Sequence, residues 1–177
     1  DTATVIKDIK LLVNGGFEID ADGDKIPDGW TLQNGSKDKR KCNKKLEDGT
    51  IKIKAHEGEC AFMFKGSVGE RSKLKQAYNV DAMSIGAGDT ITFNGFMKAK
   101  PNTRGVIKLK VNYANTDLQP AKGTVRIEET DGYTALTPIT ITPSADVAKV
   151  KLIIKHTSPT GKVYLDSLSL MLDEAAG

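Results

Sequence analysis

The chain has 177 residues, a formal net charge of +3, 38% hydrophobic residues and 6% aromatic residues. This length suits one domain with a hydrophobic core of its own. No apolar run approaches the ~18 residues that a membrane-spanning helix needs, and the small net charge indicates no particular partner, so we expect neither membrane insertion nor nucleic-acid binding.

Apolar and polar residues alternate with a period of two along most of the chain, which predicts short β-strands. Gly, Pro, Asn and Asp separate nearly every pair of strands, and no ten-residue segment has helical spacing. The pattern predicts an all-β protein, an antiparallel β-sandwich or jelly roll, with one domain over residues 1–172 and a tail or linker start at 173–177. The predicted strands cover residues 5–13, 17–19, 30–32, 50–54, 60–64, 73–80, 89–99, 105–114, 124–129, 139–141, 147–155 and 162–172.

Carboxylates recur at nearly alternate positions in the Gly- and Pro-rich segment between the second and third predicted strands. Calcium accepts ~6–8 oxygen ligands from a flexible loop, with side chains at loop positions 1, 3, 5 and 9 and a backbone carbonyl at position 7. The spacing predicts a calcium site with side-chain ligands Asp20, Asp22, Asp24 and Asp28 and the carbonyl of Ile26. The alternative is an acidic turn that binds no metal.

This loop departs from the EF-hand pattern, which requires Gly at position 6 and Glu at position 12. Lys25 and Thr31 occupy those positions here, and neither flank has helical periodicity. We therefore expect a calcium loop between strands.

Two cysteines, Cys42 and Cys60, are too few for a zinc site, and no histidine lies at ligand spacing from them. In an exported protein they could form a disulfide worth ~3 kcal/mol, whereas in a reducing compartment they would be free thiols. A calcium loop of moderate affinity favours a calcium-rich extracellular medium. We therefore expect a disulfide and a protein that is secreted or held at the cell surface; the sequence that starts at Asp1 shows no signal peptide, and one could have been removed.

The last predicted strand places a carboxylate, Asp166, on the same row as Tyr164, Leu168 and Leu170. A charge on a core-facing row is costly unless it is paired or bound to metal. Glu18 has similar apolar neighbours near the start of the chain. If the first and last strands pair, Glu18 and Asp166 could share a second calcium ion, or each could accept hydrogen bonds from nearby backbone N–H groups or a lysine.

The segment from Lys37 to Lys45 contains six basic residues and a single acid, Asp38. It predicts a solvated loop that partly neutralises the acidic loop. A second interpretation is a landing site for an acidic polymer.

Short motifs near the start, the middle and the end of the chain resemble those of carbohydrate-binding modules of the family 4, 9, 16 and 22 type. The opening motifs are residues 14–18 (NGGFE) and 27–30 (PDGW), the middle ones are 75–80 (KQAYNV) and 88–93 (GDTITF), and the closing ones are 133–141 and 161–170. The resemblance implies a jelly roll of the galactose-binding type. It also implies a structural calcium that uses acids at the positions of Glu18 and Asp166, glycan binding and no catalysis.

Modules of this type stack sugar rings on exposed aromatic side chains, and this chain has one Trp. Each candidate for glycan contact also has an ordinary structural interpretation, in the core or in an ion pair. The candidates are Trp30, Gln76, Tyr78, Tyr113, Arg126 and Tyr133.

An enzyme is not expected, because His56 and His156 are isolated and no nucleophile elbow, HExxH motif or phosphate loop is present. We expect a glycan-binding module that is part of a larger chain. The alternative is a structural or adhesive module of a surface layer with the same fold and no sugar site.

Overall fold

The computed structural model describes residues 7–80 and 84–175. None of these residues belongs to a helix long and apolar enough to cross a membrane. The described residues form fourteen β-strands: β1 (Lys7–Lys10), β2 (Thr31–Gln33), β3 (Lys39–Cys42), β4 (Lys44–Lys45), β5 (Ile51–Lys52), β6 (Cys60–Lys65), β7 (Ser72–Asn79), β8 (Thr90–Ala99), β9 (Gly105–Tyr113), β10 (Ala121–Arg126), β11 (Thr134–Ala135), β12 (Ile139–Ile141), β13 (Val147–His156) and β14 (Lys162–Glu174).

Two antiparallel sheets pack face to face and confirm the predicted β-sandwich. The seven-stranded sheet has the order β11-β8-β14-β6-β3, with β1 beside β14 and β12 beside β8. The five-stranded sheet has the order β10-β9-β13-β7-β2, and β4 and β5 form a separate hairpin. The pairing of β1 with β14 brings the two ends of the domain together.

The core lies between the sheets because the long strands alternate as their sequences predict. In β8, Ile91, Phe93, Met97 and Ala99 point inward and are at most 4% exposed. The five-stranded sheet contributes inward aliphatic rows that are fully buried: Leu74, Ile107, Leu109, Val111, Val150, Leu152 and Ile154. Burial of these apolar rows is the main force that holds the sandwich together.

A β-bulge in β14 changes which side of the sheet Asp166 occupies. The register with β8 shifts between Asp166 and Ser169, and Ser167 has φ of 51°. Asp166 lies opposite Phe96, which is on the solvent side of β8, whereas Leu170 and Leu172 point into the core. The expectation that Asp166 shares the core-facing row of the leucines is therefore wrong, because an extra residue in the strand reverses the alternation.

Several strand boundaries also differ from the predicted ones. Residues 17–19 form no strand, β10 begins three residues earlier than expected, and β14 continues through Asp173 and Glu174, which were assigned to the tail. Of the predicted strand 50–54 only Ile51–Lys52 remains, and Ile51 and Ile53 are more than half exposed. Residues 5 and 6 lie outside the described residues.

The predicted disulfide is present and joins the edge strand β3 to β6. Cys42 and Cys60 are directly opposite in the register, with Cα atoms 4.0 Å apart. The bond therefore secures the chain that follows the acidic loop to the body of the seven-stranded sheet.

Candidate functional site

Three carboxylates of the acidic loop converge on one point. Oxygen atoms of Asp20, Asp22 and Asp28 lie within 4.8 Å of one another and could hold a metal ion. Asp20 Oδ2 accepts a hydrogen bond from the backbone N–H of Lys25, but Asp20 Oδ1 is buried and has no hydrogen-bond partner. A buried, unpaired carboxylate oxygen beside two other carboxylates fits a hard cation such as calcium.

Asp24 and Ile26 lie in the same loop, but Asp24 is not part of the converging group. Its Oδ1 accepts a hydrogen bond from the N–H of Ile26 at 2.8 Å. The ends of the loop are fixed by Asn14, whose side-chain amide donates to the carbonyls of Ile19 and Asp28. The NGGFE motif therefore closes the loop from outside and holds its carboxylates together.

Glu18 and Asp166 both contact the segment of residues 56–60. Asp166 Oδ2 accepts the N–H groups of His56 and Glu57 at 2.8 and 3.0 Å, and Glu18 Oε1 accepts those of Glu59 and Cys60 at 3.0 and 3.1 Å. Burial raises the pKa of Asp166, while the backbone donors act in the opposite direction. We name these two residues the carboxylate clamp, because they hold one loop through its backbone.

Two glycines allow this close packing. Gly58 has φ of 62°, and a Cβ atom there would collide with Glu18 Oε1. A Cβ atom on Gly15 would collide with the carbonyl of Leu168, which is next to the bulge. The first glycine of the NGG motif is thus needed where the chain's opening touches its last strand.

A cavity of about 740 Å³ opens on the solvent side of the seven-stranded sheet, and its lining includes the bulge and both clamp residues, Glu18 and Asp166. Its polar lining includes Asn94, Ser169 and the exposed Glu57, and its apolar lining includes Phe96 and Pro138. A sugar ring has apolar C–H faces and polar hydroxyl edges, so a wall of this mixed character suits it.

Phe96, which lines the cavity, belongs to a small cluster of rings. The ring of His56 stacks on Phe96 with centroids 3.9 Å apart and lies 5.4 Å from the ring of Tyr133. The Tyr133 hydroxyl donates to the carbonyl of Lys54, and burial raises the pKa of Tyr133. His56, which the sequence suggested was isolated, is therefore part of a ring stack that only the folded chain brings together.

The six predicted glycan contacts are dispersed in the structure. Trp30 is buried against Phe17, and its indole N–H donates to the carbonyl of Asn14. Gln76 is 7% exposed and bonds both backbone groups of Val13, and the Tyr78 hydroxyl donates to Gln76. Tyr113 is 9% exposed, with its hydroxyl near Ser144. Tyr133 does not line the cavity but contacts His56, which stacks on the lining residue Phe96, and Arg126 is exposed on the solvent side of the five-stranded sheet.

The basic run forms the edge strand β3 where a loop was expected. Its contact with the acidic loop is through the backbone, because the N–H of Arg40 donates to the carbonyl of Lys25. The Arg40 guanidinium donates to the carbonyls of Phe17 and Glu18 at 2.6 Å. The strand therefore supports the chain that leads into the acidic loop.

No family model matches the chain, and no curated protein matches it. Solved structures do match. A family 61 carbohydrate-binding module in complex with β-1,4-galactotriose aligns with a TM-score of 0.59 and 16% identity over 92% of this chain and 97% of that one. The CBM22-1 xylan-binding domain of Xyn10C from Paenibacillus barcinonensis aligns with a TM-score of 0.54 and 12% identity over 99% of both chains.

The enzymatically active domain of tailspike protein 4 from bacteriophage CBA120 is also similar, with a TM-score of 0.64 and 12% identity over 92% of this chain. The alignment spans only 21% of the tailspike chain. These similarities show that the chain has the β-sandwich fold of carbohydrate-binding modules, as the sequence motifs predicted.

Proposed function

We propose that the chain is a non-catalytic, calcium-stabilised carbohydrate-binding module of a secreted or cell-surface protein. The observation that carries the proposal is the match of nearly the whole chain to modules that bind galactotriose and xylan. A shared fold does not by itself imply a shared function. The proposal therefore rests also on a cavity whose lining suits a sugar.

The glycan site we propose is the cavity beside the bulge. Phe96 offers an apolar surface, and Asn94 and Ser169 offer amide and hydroxyl groups at the same wall. Of the six residues predicted from the sequence, Tyr133 is nearest to this site through its contact with His56. Trp30, Gln76 and Tyr113 are engaged in the core, which supports a role in the scaffold.

Calcium is proposed at Asp20, Asp22 and Asp28, with Asp24 and the carbonyl of Ile26 available from the same loop. The unpaired Asp20 Oδ1 supports this assignment. For Glu18 and Asp166 we propose the carboxylate clamp in place of a second calcium ion, because backbone N–H groups already meet their oxygens. The ion would hold the loop together and take no part in sugar chemistry.

Export is supported by the disulfide between Cys42 and Cys60, since such bonds persist in oxidising compartments. The alignment with 21% of a tailspike chain supports a place within a larger protein. The comparisons do not favour the surface-layer alternative, which would leave the cavity without a ligand.

The test is affinity electrophoresis in gels that contain β-1,4-galactan, xylan or no polysaccharide. We expect retardation by at least one neutral polysaccharide and a loss of up to about tenfold in affinity in Asn94→Ala, because a hydrogen bond contributes about 0.5–1.5 kcal/mol and about 1.4 kcal/mol corresponds to tenfold. Asn79→Ala removes an exposed amide from the opposite sheet and should leave binding unchanged. Equal loss in both variants, or no retardation in a wider glycan screen, would overturn the proposal.

A further inference from the structure

The solvent side of the five-stranded sheet is a basic face. Residues paired across an antiparallel ladder point to the same side, so the register brings separate alternating rows together. Four strands supply its basic residues: Lys73 and Lys75, Lys108 and Lys110, Lys122 and Arg126, and Lys149, Lys151 and Lys155.

The rest of this face is neutral and contains no aromatic ring. Its other members in the described strands are Thr31, Gln33, Ala77, Asn79, Val106, Asn112, Thr124 and Ile153. None of the face's members in the described strands is a carboxylate. The positive charge is therefore not neutralised within the face itself.

The basic face works against the stability of the sheet. Like charges directly opposite on neighbouring strands repel, and three such pairs occur: Lys73 with Lys155, Lys110 with Lys151, and Lys110 with Lys122. Repulsion from Lys155 is the main cause that lowers the pKa of Lys108. An anionic ligand would relieve this repulsion and stabilise the fold on binding.

We propose that the basic face binds a linear acidic polysaccharide. Lysines on adjacent strands are separated by ~4.8 Å and those along one strand by ~6.7 Å, so the face is a lattice of positive charges and not a single anion site. A polymer with repeated carboxylate or sulfate groups can engage several lysines at once.

Two features favour a glycan over nucleic acid. Single-stranded nucleic acids are held by aromatic side chains that stack on the bases, and this face has none. A hollow of about 380 Å³, lined by Lys75, Lys149, Lys151 and Ile153, has room for a sugar residue that carries an anionic group. The basic face lies on the opposite side of the sandwich from the cavity proposed for a neutral glycan, so the two proposals can fail separately.

The experiment measures binding of the whole chain to immobilised polygalacturonate, dextran sulfate, neutral galactan, a short single-stranded DNA and a short DNA duplex. Lys75→Glu, Lys110→Glu and Lys151→Glu are combined in one variant. The matched control combines Lys39→Glu, Lys41→Glu and Lys65→Glu, which changes the net charge equally on the other sheet. Thermal midpoints of both variants verify folding, and a glutamine version of the first triple replaces it if it fails to fold.

We expect polygalacturonate or dextran sulfate to bind with an affinity that falls at least tenfold between about 50 and about 200 mM salt. The first triple should lose at least tenfold more affinity than the control, and the preferred polymer identifies the anionic group. Tighter binding to DNA than to either polymer would overturn the proposal. So would an equal loss in both triples, or no binding to either acidic polymer.

Discussion

The acidic loop and the carboxylate clamp both concentrate negative charge, but the protein neutralises them differently. In the loop, three carboxylates face one another and Asp20 Oδ1 has no partner. In the clamp, Asp166 is fully buried and Glu18 exposed, yet each accepts two backbone N–H groups of residues 56–60. The loop therefore leaves a carboxylate oxygen that an ion could meet, whereas backbone N–H groups meet the carboxylates of the clamp.

The difference lies in how many carboxylate oxygens the backbone meets: in the loop Asp20 Oδ2 has an N–H donor but Asp20 Oδ1 has none, so a metal is expected in the loop and not in the clamp. In the loop of residues 20–28, each backbone N–H group that meets a carboxylate donates to one oxygen of it. The clamp is built from two distant parts of the chain and meets a third, so donors converge on it. Neutralisation by an ion should respond to a chelator, whereas neutralisation by backbone N–H groups should not.

The largest expected effect is at the clamp. Both oxygens of Asp166 accept backbone N–H groups, because Oδ1 also accepts that of Ser167 at 2.7 Å. Asp166→Asn therefore points its amide NH2 at a backbone donor in either orientation, which leaves a buried donor unpaired. We expect a loss of about 2–4 kcal/mol in the free energy of unfolding, measured by urea denaturation. The loss should be the same with calcium and with a chelator. A loss of stability that appears only in the presence of calcium would indicate that the ion binds at the clamp and not in the loop.

Removal of calcium should lower stability by a smaller amount. A ligand that binds only the folded state contributes about 2.7 kcal/mol at a concentration 100 times its Kd, so a chelator should lower the thermal midpoint. Asp22→Ala should reproduce the shift and abolish the response to calcium. Asp117→Ala, an exposed acid outside the loop, serves as the control for charge.

Asp24 tests how far the loop follows its sequence pattern. If Asp24 is a fourth ligand, Asp24→Asn weakens calcium affinity as Asp22→Ala does. If it only caps the N–H of Ile26, calcium affinity is retained. An unchanged thermal midpoint on chelation of the unmodified protein would contradict the calcium site altogether.

The buried side chain of His156 makes the free energy of unfolding depend on pH, apart from the carboxylates of the loop and the clamp. Burial lowers the pKa of His156 from 6.5 to about 4, and its Nε2 has no hydrogen-bond partner. Between pH 6.5 and 4 the His156 imidazole is therefore protonated in the unfolded chain and neutral in the folded chain. The free energy of unfolding falls as the pH drops through this range. We expect a loss of about 2 kcal/mol across this window, measured by denaturation in chelator. His156→Phe should remove that slope, and an unchanged slope would assign it to another group.

The smallest effect is expected at Glu18. Glu18→Gln keeps an oxygen that can accept the N–H groups of Glu59 and Cys60, and the side chain is exposed. We expect a change of about 1 kcal/mol or less by urea denaturation. A loss in the free energy of unfolding as large as that of Asp166→Asn would indicate that the negative charge of Glu18 has a partner besides these two backbone N–H groups.

Local patterns in the sequence predicted local features well. Alternation predicted the strands that form β8, β9 and β13, and the two cysteines form the expected disulfide. The converging group of Asp20, Asp22 and Asp28 lies in the segment whose spacing indicated a metal, although the metal itself stays a prediction.

Features that depend on strand order or on a single extra residue could not be predicted. The bulge near Ser167 reverses the side of Asp166, and no composition signal marks it. Lysine rows were visible in separate strands, but only the β9-β13-β7 order assembles them into the basic face. Tyr78 and Tyr113 share alternation with aliphatic neighbours, which leaves burial and exposure indistinguishable in sequence.

The pairing of β1 with β14 has a mechanical consequence. Lys7 lies opposite Glu174 and Lys10 opposite Met171, so residues 7 and 174 are at the same end of one ladder. A pulling force applied at these two residues acts perpendicular to the strands, along the hydrogen bonds, and opens them one at a time. β1 should therefore separate from β14 at low force, which lengthens each domain by the four residues of β1. The rest of the sandwich then bears the force through β14. Arranged in series under tension, such domains would lengthen by small steps in which Ile9 leaves the edge of the core while the rest of the sandwich stays packed.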